Sequence, residues 1–311
     1  MRELKDTIII CNPLAGGGLA SKRWKRFHSL LESKKIKVMY EFTEYQGHAT
    51  ELARKAVDRG YKRIAVFGGD GTFNEAIQGV IEEDSPVLSD LVLIFMCAGS
   101  SCDFEKVFKT QKTALEKLLS EEVFKIDLCR VKCRGFEGEE ITRYFVANSS
   151  IGVISHAIAG FNQGSRVINF LKKVSVDMAA LTAGVKALAS FKTFEGRIIF
   201  DDEEREVRLK NLTVFKSPYF GGGMNYGMDS RADDGALHVA TIDSVSSLRL
   251  FSLIPSLYTG KILGKKPASY RKCKRFEIRS GENVFVETDG EIVGYLPAEY
   301  SIFPNRLRVI V

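Results

Sequence analysis

Carboxylates set among glycines are the residues of this chain best suited to chemistry. Asp70 stands in VFGGDGTFNE, Val66 to Glu75, with Gly68, Gly69 and Gly71 around it and Thr72 just beyond. Far down the chain, Asp289 and Glu291 flank Gly290 in VETDGE. Glycines let backbone N–H groups approach phosphate oxygens, and a helix starting there adds a favourable field. An aspartate inside such a loop repels phosphate by itself. It fits by holding Mg²⁺ or a magnesium-bound water, or by facing another donor. Thr72 would then cap the following helix or donate to phosphate. Asp289 and Glu291, two apart, would share a face of an extended chain. In such a pair one carboxylate orients the other or binds metal, while its partner takes a proton from a hydroxyl nucleophile. Each feature also has a plainer reading. GGDG can be a strand-to-helix turn with an aspartate cap, and Asp-Gly is a common hairpin turn.

Other chemistries lack their residues. No HExxH, GxSxG or GxxxxGK[ST] pattern occurs, and the six cysteines form no CxxC pair. Most of those cysteines sit in apolar runs, which predicts buried free thiols rather than disulfides or zinc ligands. A net charge of +6 suits acidic partners such as nucleotide phosphates or an anionic membrane surface. No aromatic-and-basic motif supports nucleic-acid binding.

The elements that would position these residues follow from apolar periodicity. At 311 residues, 45% hydrophobic and 27% charged, the chain predicts two globular domains. Charges precede too brief an apolar run in MRELKDTIIICNP for a signal sequence or membrane span, which predicts a cytoplasmic address and no transmembrane segment. Ile8 to Asn12, Val38 to Thr43, Arg63 to Gly69 and Leu91 to Gly99 read as strands, with helices over Ser21 to Ser33 and Thr50 to Arg59 between them. Strand and helix alternating predicts a parallel sheet with crossovers, and ligands bind beyond the C-terminal ends of such strands. The turns beginning at Asn12, Thr43, Gly68 and Gly99 would converge on that rim. From about Phe124, strands at 124–133, 144–152, 196–200, 205–215, 236–242, 274–279, 284–288 and 300–311 predict an antiparallel, sandwich-like second domain, interrupted by helical stretches at 165–194 and 246–263.

Taken together, Asn12-Pro13, Thr43, Gly47-His48-Ala49, the GGDGT run with Asn74-Glu75, Gly221-Gly222-Gly223-Met224, Asp233-Asp234-Gly235 and Asp289-Gly290-Glu291 resemble the diacylglycerol-kinase-like lipid kinases. That family includes bacterial soluble lipid kinases and, more distantly, sphingosine and ceramide kinases. The resemblance implies an α/β fold. A Rossmann-like, phosphofructokinase-like three-layer domain would span 1–128 and be rejoined by the final strand at about 298–311. An antiparallel β-sandwich domain would span 129–297, with the active site in the interdomain cleft. It further implies that Asn12, Thr43, Gly68, Gly69, Asp70, Gly71, Thr72, Phe73, Asn74 and Ser100 contact ATP, with Asp70 organising its Mg²⁺. Asp289 and Glu291 would be catalytic beside Asp70, Glu291 taking the proton of the lipid hydroxyl. A second, structural Mg²⁺ would lie beside the DDG turn, on Asp234 and the main-chain oxygens of Arg231 and Ala236. One motif departs: where the family reads Gly-Thr-Gly/Ala-Asn-Asp-Phe, this chain has Gly99-Ser100-Ser101-Cys102-Asp103-Phe104, and Cys102 removes an amide that both donates and accepts.

A lipid acceptor requires peripheral, transient contact with the inner face of a membrane. Two regions carry the residues for it: the apolar 247–263 stretch with the basic residues between Lys261 and Arg275, and the 165–194 helical stretch. The plainer readings are a core helix with a solvated basic loop, and an amphipathic helix over the cleft. GGDGT is shared with NAD kinases, so a soluble NAD kinase-like enzyme is one alternative. A non-catalytic lipid- or nucleotide-binding relative is another. A homodimer is compatible with these readings.

Overall fold

Short apolar runs separated by helical spacings build the first part of the chain in a computed structural model. It describes residues 2–81, 90–99, 101–108, 111–165, 167–168, 170–171, 176–200, 203–221, 223–228 and 230–311. The chain divides into two compact units, Met1–Leu128 with Pro304–Val311, and Cys129–Phe303.

In the first unit, β1 (Arg2–Cys11) lies between β2 (Ile36–Phe42) and β3 (Arg63–Gly68), and β3 pairs with β4 (Val92–Cys97), all parallel. Helices α1 (Leu19–Ser33) and α2 (His48–Asp58) make the first two crossovers, α3 (Asp70–Val80) follows β3, and α4 (Ala114–Leu119) follows β4. Alternate residues of the buried strands face opposite ways. Ile9, Cys11, Ala65, Phe67 and Ile94 join Trp24, Phe27 and Leu31 of α1 and Leu118 of α4 in one core. On the other face, Phe95 meets Phe73 of α3 at 4.7 Å between ring centroids. Both faces are therefore covered, which is why these strands read as unbroken apolar runs.

The second unit opens with the hairpin of β5 (Phe124–Arg134) and β6 (Glu140–Phe145), followed by β7 (Asn148–Gly152), α5 (Val153–Gln163) and α6 (Val176–Ser190). After α6 come β8 (Phe194–Phe200), β9 (Glu203–Phe215), the short pair β10 (Tyr219–Phe220) and β11 (Met224–Asn225), and β12 (Leu237–Asp243). Helix α7 (Ser247–Tyr258) precedes β13 (Ala268–Cys273), β14 (Arg275–Arg279), β15 (Phe285–Thr288) and β16 (Glu291–Ile310). Antiparallel pairing runs from β7 to β9, β8, β14, β16, β15 and back to β7, closing on itself. Phe145, Phe194, Phe200, Leu212, Phe276, Ile278 and Tyr300 fill this circuit. The end of β16 returns to the first unit, where Val309 and Ile310 pair with Leu93 and Ile94 of β4.

Local geometry changes several expected elements. The strand expected over 144–152 is broken at 146–147, and α5 follows it unannounced. Gly152 turns the chain at φ 109, and its N–H donates to Ser155 Oγ at 3.0 Å, so a β-branched sequence becomes the first turn of a helix. The basic stretch, read from sequence as a membrane contact or a solvated loop, holds β13, an edge strand on β12. There Arg271 pairs with Glu203 at 2.5 Å and Arg275 with Glu299 at 2.9 Å. Helix α7 buries Leu250 and Leu253 as a core helix does, with Leu248 left exposed. No helix among the described residues is long and apolar enough to cross a membrane.

Candidate phosphate-binding rim and acidic hairpin

Helices α1, α2 and α3 begin at Gly18, Gly47 and Gly69, and none receives a side-chain cap. In α1 the N–H groups of Leu19, Ala20 and Ser21 donate to the Gly16, Ala15 and Gly18 carbonyls, and in α2 those of His48 and Thr50 donate to the Tyr45 and Gly47 carbonyls, so the first turn of α3 is the start best placed to bind an anion. Asp70 is the first residue of α3 rather than its cap. Its carboxylate accepts N–H donors from Asp103 and Phe104, both at 3.1 Å, which ties the loop after β4 to the start of α3. Burial raises the Asp70 carboxyl above the usual carboxylate range, although both amides act to lower it. A cation beside it would restore what burial costs the charged form, so Asp70 fits a role in holding magnesium or its bound water. The ion would supply charge neutralisation at the phosphates.

The other loops join the same rim. Asn12 Nδ2 donates to Thr72 Oγ1 at 2.9 Å, and Asn12 Oδ1 accepts the Leu14 N–H at 3.0 Å. The Thr43 N–H donates to the Cys11 carbonyl at 2.9 Å. Gly69 and Gly99 pass so closely that a Cβ on Gly99 would lie 2.7 Å from the Gly69 Cα. Gly68 ends β3, and Gly71 lies in the first turn of α3. Phe73 sends its ring into the core, leaving only its backbone for the rim. Asn74 is buried and accepts from Gln78 Nε2 at 3.0 Å. Ser100 lies outside the described residues, as do Gly222 of the GGGM run and Arg166, Lys172 and Lys173 of the 165–194 stretch. Sequence reading assigned no task to Glu75, which accepts the Ala49 N–H at 3.2 Å while its carbonyl accepts from Thr50 Oγ1 at 2.8 Å, fixing α2 to α3.

Cys97 and Cys102 turn their side chains toward each other. Cys102 takes a left-handed φ of 51°, folding the loop back until its Cα is 6.1 Å from that of Cys97. Asparagine, the family residue here, tolerates that conformation better than most. Cys11, Cys129 and Cys133 are buried, and Cys273 is half-buried. Burial pushes the Cys11 thiol up to about 12 and the Cys133 thiol up to about 11, so both stay protonated and inert.

In the second unit, Asp289 and Gly290 are the two turn residues of the β15–β16 hairpin, at φ 45 and 95. The chain is therefore not extended at Asp289, and the face-sharing argument for the pair does not hold. Asp289 instead accepts three backbone N–H groups, from Val146 at 3.2 Å, Ala147 at 3.2 Å and Asn148 at 2.8 Å. That environment suits an anchored anion, not a proton acceptor. Glu291, half-buried, opens β16 opposite Thr288. Sequence reading missed Glu287, whose side chain is sealed beneath the turn. Its Oε1 accepts the Gly290 N–H at 2.5 Å, and the Ser150 amide and hydroxyl act with that bond to favour the charged form. Burial, with the nearby Asp289 charge adding to it, pushes Glu287 up to about 8. An acid in an apolar strand next to DGE was the one available signal.

At the DDG turn, Arg231 directs its guanidinium to Asp233, with two contacts of 2.9 Å. Asp234 Oδ1 accepts from the Lys216 ammonium and from the Ala236 N–H at 3.2 Å, and Oδ2 lies 2.7 Å from His238 Nε2. Burial opposes ionisation of Asp234, but hydrogen bonds and charge from His238 and Lys216 outweigh it and hold the carboxyl well below the usual range. Among the described residues, no cluster of three or more His, Cys, Asp or Glu side chains suits a metal ion.

The two halves of the chain match different domain families in sequence order. Residues 6–131 match the diacylglycerol kinase catalytic domain, and residues 158–311 match the YegS C-terminal NAD kinase beta sandwich-like domain. A diacylglycerol kinase of Staphylococcus haemolyticus is 26% identical over 97% of this chain and 86% of its own length. One of Mycobacterium tuberculosis is 25% identical over 99% of this chain and 96% of its own. The crystal structure of a diacylglycerol kinase from Bacillus anthracis shares the fold with a TM-score of 0.65 at 19% identity, covering 98% of this chain and 96% of that one. The chain belongs to the diacylglycerol-kinase-like family, a family of ATP-dependent lipid kinases.

Proposed function

We propose that this kinase transfers the γ-phosphoryl group of ATP to a hydroxyl of a membrane lipid, of diacylglycerol, phosphatidylglycerol or sphingoid type. The observation that carries the reading is the binding of three loops into one rim by the Asn12–Thr72 and Asp70–Asp103/Phe104 hydrogen bonds, at the start of α3, which carries no side-chain cap. Gly68 to Asn74, with Asn12, Thr43 and Ser100, contact ATP, and Asp70 organises its Mg²⁺. Glu291 accepts the proton of the attacking hydroxyl. Asp289, bound by three amides, keeps the hairpin that carries Glu291 in place. The interdomain cleft and the domain limits of 1–128, 298–311 and 129–297 belong to this proposal.

Lipid access is assigned to α6 and the residues before it. Met178, Leu181 and Val185 follow helical spacing and are 51%, 67% and 45% exposed, with Val167 and Phe170 also exposed. An uncovered apolar face of this kind suits transient contact with the inner face of a membrane by a cytoplasmic protein. Purified protein with Mg-ATP and vesicles of diacylglycerol, phosphatidylglycerol, sphingosine or ceramide is expected to yield a phosphorylated lipid. If none of the four is phosphorylated, or if NAD is converted to NADP instead, the lipid-kinase reading of this chain is withdrawn.

A further inference from the structure

Lys216 follows directly on β9, and its side chain is 1% exposed. Its backbone is held on both sides, the N–H donating to the Ala147 carbonyl at 2.8 Å and the carbonyl accepting from Ser230 Oγ at 2.8 Å. The ammonium reaches the DDG turn, donating to Asp234 Oδ1 and to the Ala236 carbonyl at 3.0 Å. These are two of the three oxygen sources through which the resemblance implies a structural Mg²⁺. The remaining Asp234 oxygen faces His238 Nε2, and Lys272 Nζ stands 3.6 Å from it. His238 is fully buried, with Nδ1 2.9 Å from the Tyr270 hydroxyl.

A divalent ion on the Asp234 carboxylate and the Ala236 carbonyl would enter the shell that the ammonium already occupies. The two cations would repel at contact distance in a water-poor site, where such repulsion is screened least. Moving the ammonium aside would leave a buried lysine without its counter-charge, which is a costly state. Hard divalent cations also prefer several carboxylate or carbonyl oxygens, whereas the side chains flanking Asp234 here are lysine and histidine.

We propose that the Lys216 ammonium is the built-in cation of the Asp234–Ala236 turn, so that this turn needs no divalent metal. A lysine at this site makes the turn independent of metal supply and confines any magnesium requirement of the protein to the nucleotide side. The inference does not depend on which lipid is phosphorylated.

Thermal unfolding and Mn²⁺ binding, read by electron paramagnetic resonance without nucleotide, test it. Wild-type protein treated with EDTA is expected to keep its Tm within about 1 °C when saturating Mg²⁺ is added, since a ligand that does not bind the native state adds no stability. Any Mn²⁺ signal should be the same in wild type and Asp234→Asn. Lys216→Met removes the cation and leaves the oxygens. Mg²⁺ is expected to raise its Tm by several degrees, roughly the shift expected from occupancy of a native-state site, and this rise should vanish when Asp234→Asn is added. A wild-type Tm that drops with EDTA and recovers with Mg²⁺, or wild-type Mn²⁺ binding abolished by Asp234→Asn, overturns the proposal. These wild-type comparisons decide the matter even if Lys216→Met does not fold.

Discussion

Three acidic residues within five positions of the β15–β16 hairpin sit in three different environments, and each environment implies its own response to substitution. Asp289 accepts three amides, so Asp289→Asn turns an NH₂ group toward N–H donors and is expected to lower stability by about 1–3 kcal/mol. Glu291→Gln removes the proposed general base from a half-buried position and is expected to reduce kcat by about 10²–10⁴-fold with an unchanged Tm. Lipid phosphorylation rates and melting curves of both variants separate the roles; a Glu291→Gln enzyme with wild-type turnover would take that residue out of the chemistry. Glu287 differs again. Its carboxyl is pushed from an ordinary 4.5 to about 8, so between these values the folded state keeps a proton that the unfolded chain has released. Stability therefore falls as pH rises through this window, by an amount on the order of a few kcal/mol. Urea unfolding of wild type and Glu287→Gln at pH 5 and pH 8 reads the effect directly. The variant should lose much of the slope, and an unchanged slope would assign the effect to other groups.

At the scale of elements, the close passage of Gly69 and Gly99 governs the rim. An alanine at position 99 would bring its Cβ to 2.7 Å from the Gly69 Cα, backbone against backbone, so one strand end must move. That shift would pull Asp103 and Phe104 from the Asp70 carboxylate. Gly99→Ala is expected to cost about 1–3 kcal/mol and to raise the KM for ATP roughly tenfold. ATP-dependence curves and thermal melts check both, and a wild-type KM would detach this crossing from nucleotide binding. Strands β1, β3 and β4 were legible because burial on both faces writes an unbroken apolar run. Helix α5 was not, because it opens on the β-branched Val153 and Ile154, which are weak helix formers, and the glycine turn and Ser155 contact that start it do not show in periodicity.

At the scale of the whole molecule, Met178, Leu181 and Val185 leave an apolar face of α6 exposed. Because Leu181 is already 67% exposed, Leu181→Glu should leave the Tm unchanged. It is expected to weaken sedimentation with anionic lipid vesicles by several-fold, through lost apolar insertion and added charge repulsion. Equal vesicle binding by wild type and variant would move the membrane contact elsewhere. The sequence also offered α7 with the basic stretch after it. Packing turned α7 toward the core, and part of the basic charge is spent on Glu203 and Glu299.

By itself, the sequence determined which loops follow which strands, that glycines and Asp70 would stand at their ends, and which family the ordered motifs join. These are local properties: turn chemistry and apolar periodicity depend on a few neighbouring residues. Only the tertiary structure decided that Asp70 clamps the loop after β4, that Asp289 accepts three amides at the hairpin turn, that Cys102 meets Cys97, and that Lys216 answers Asp234. Each depends on which polar group a buried side chain meets when the backbone closes, and that meeting is set by packing between segments that carry no mark of one another.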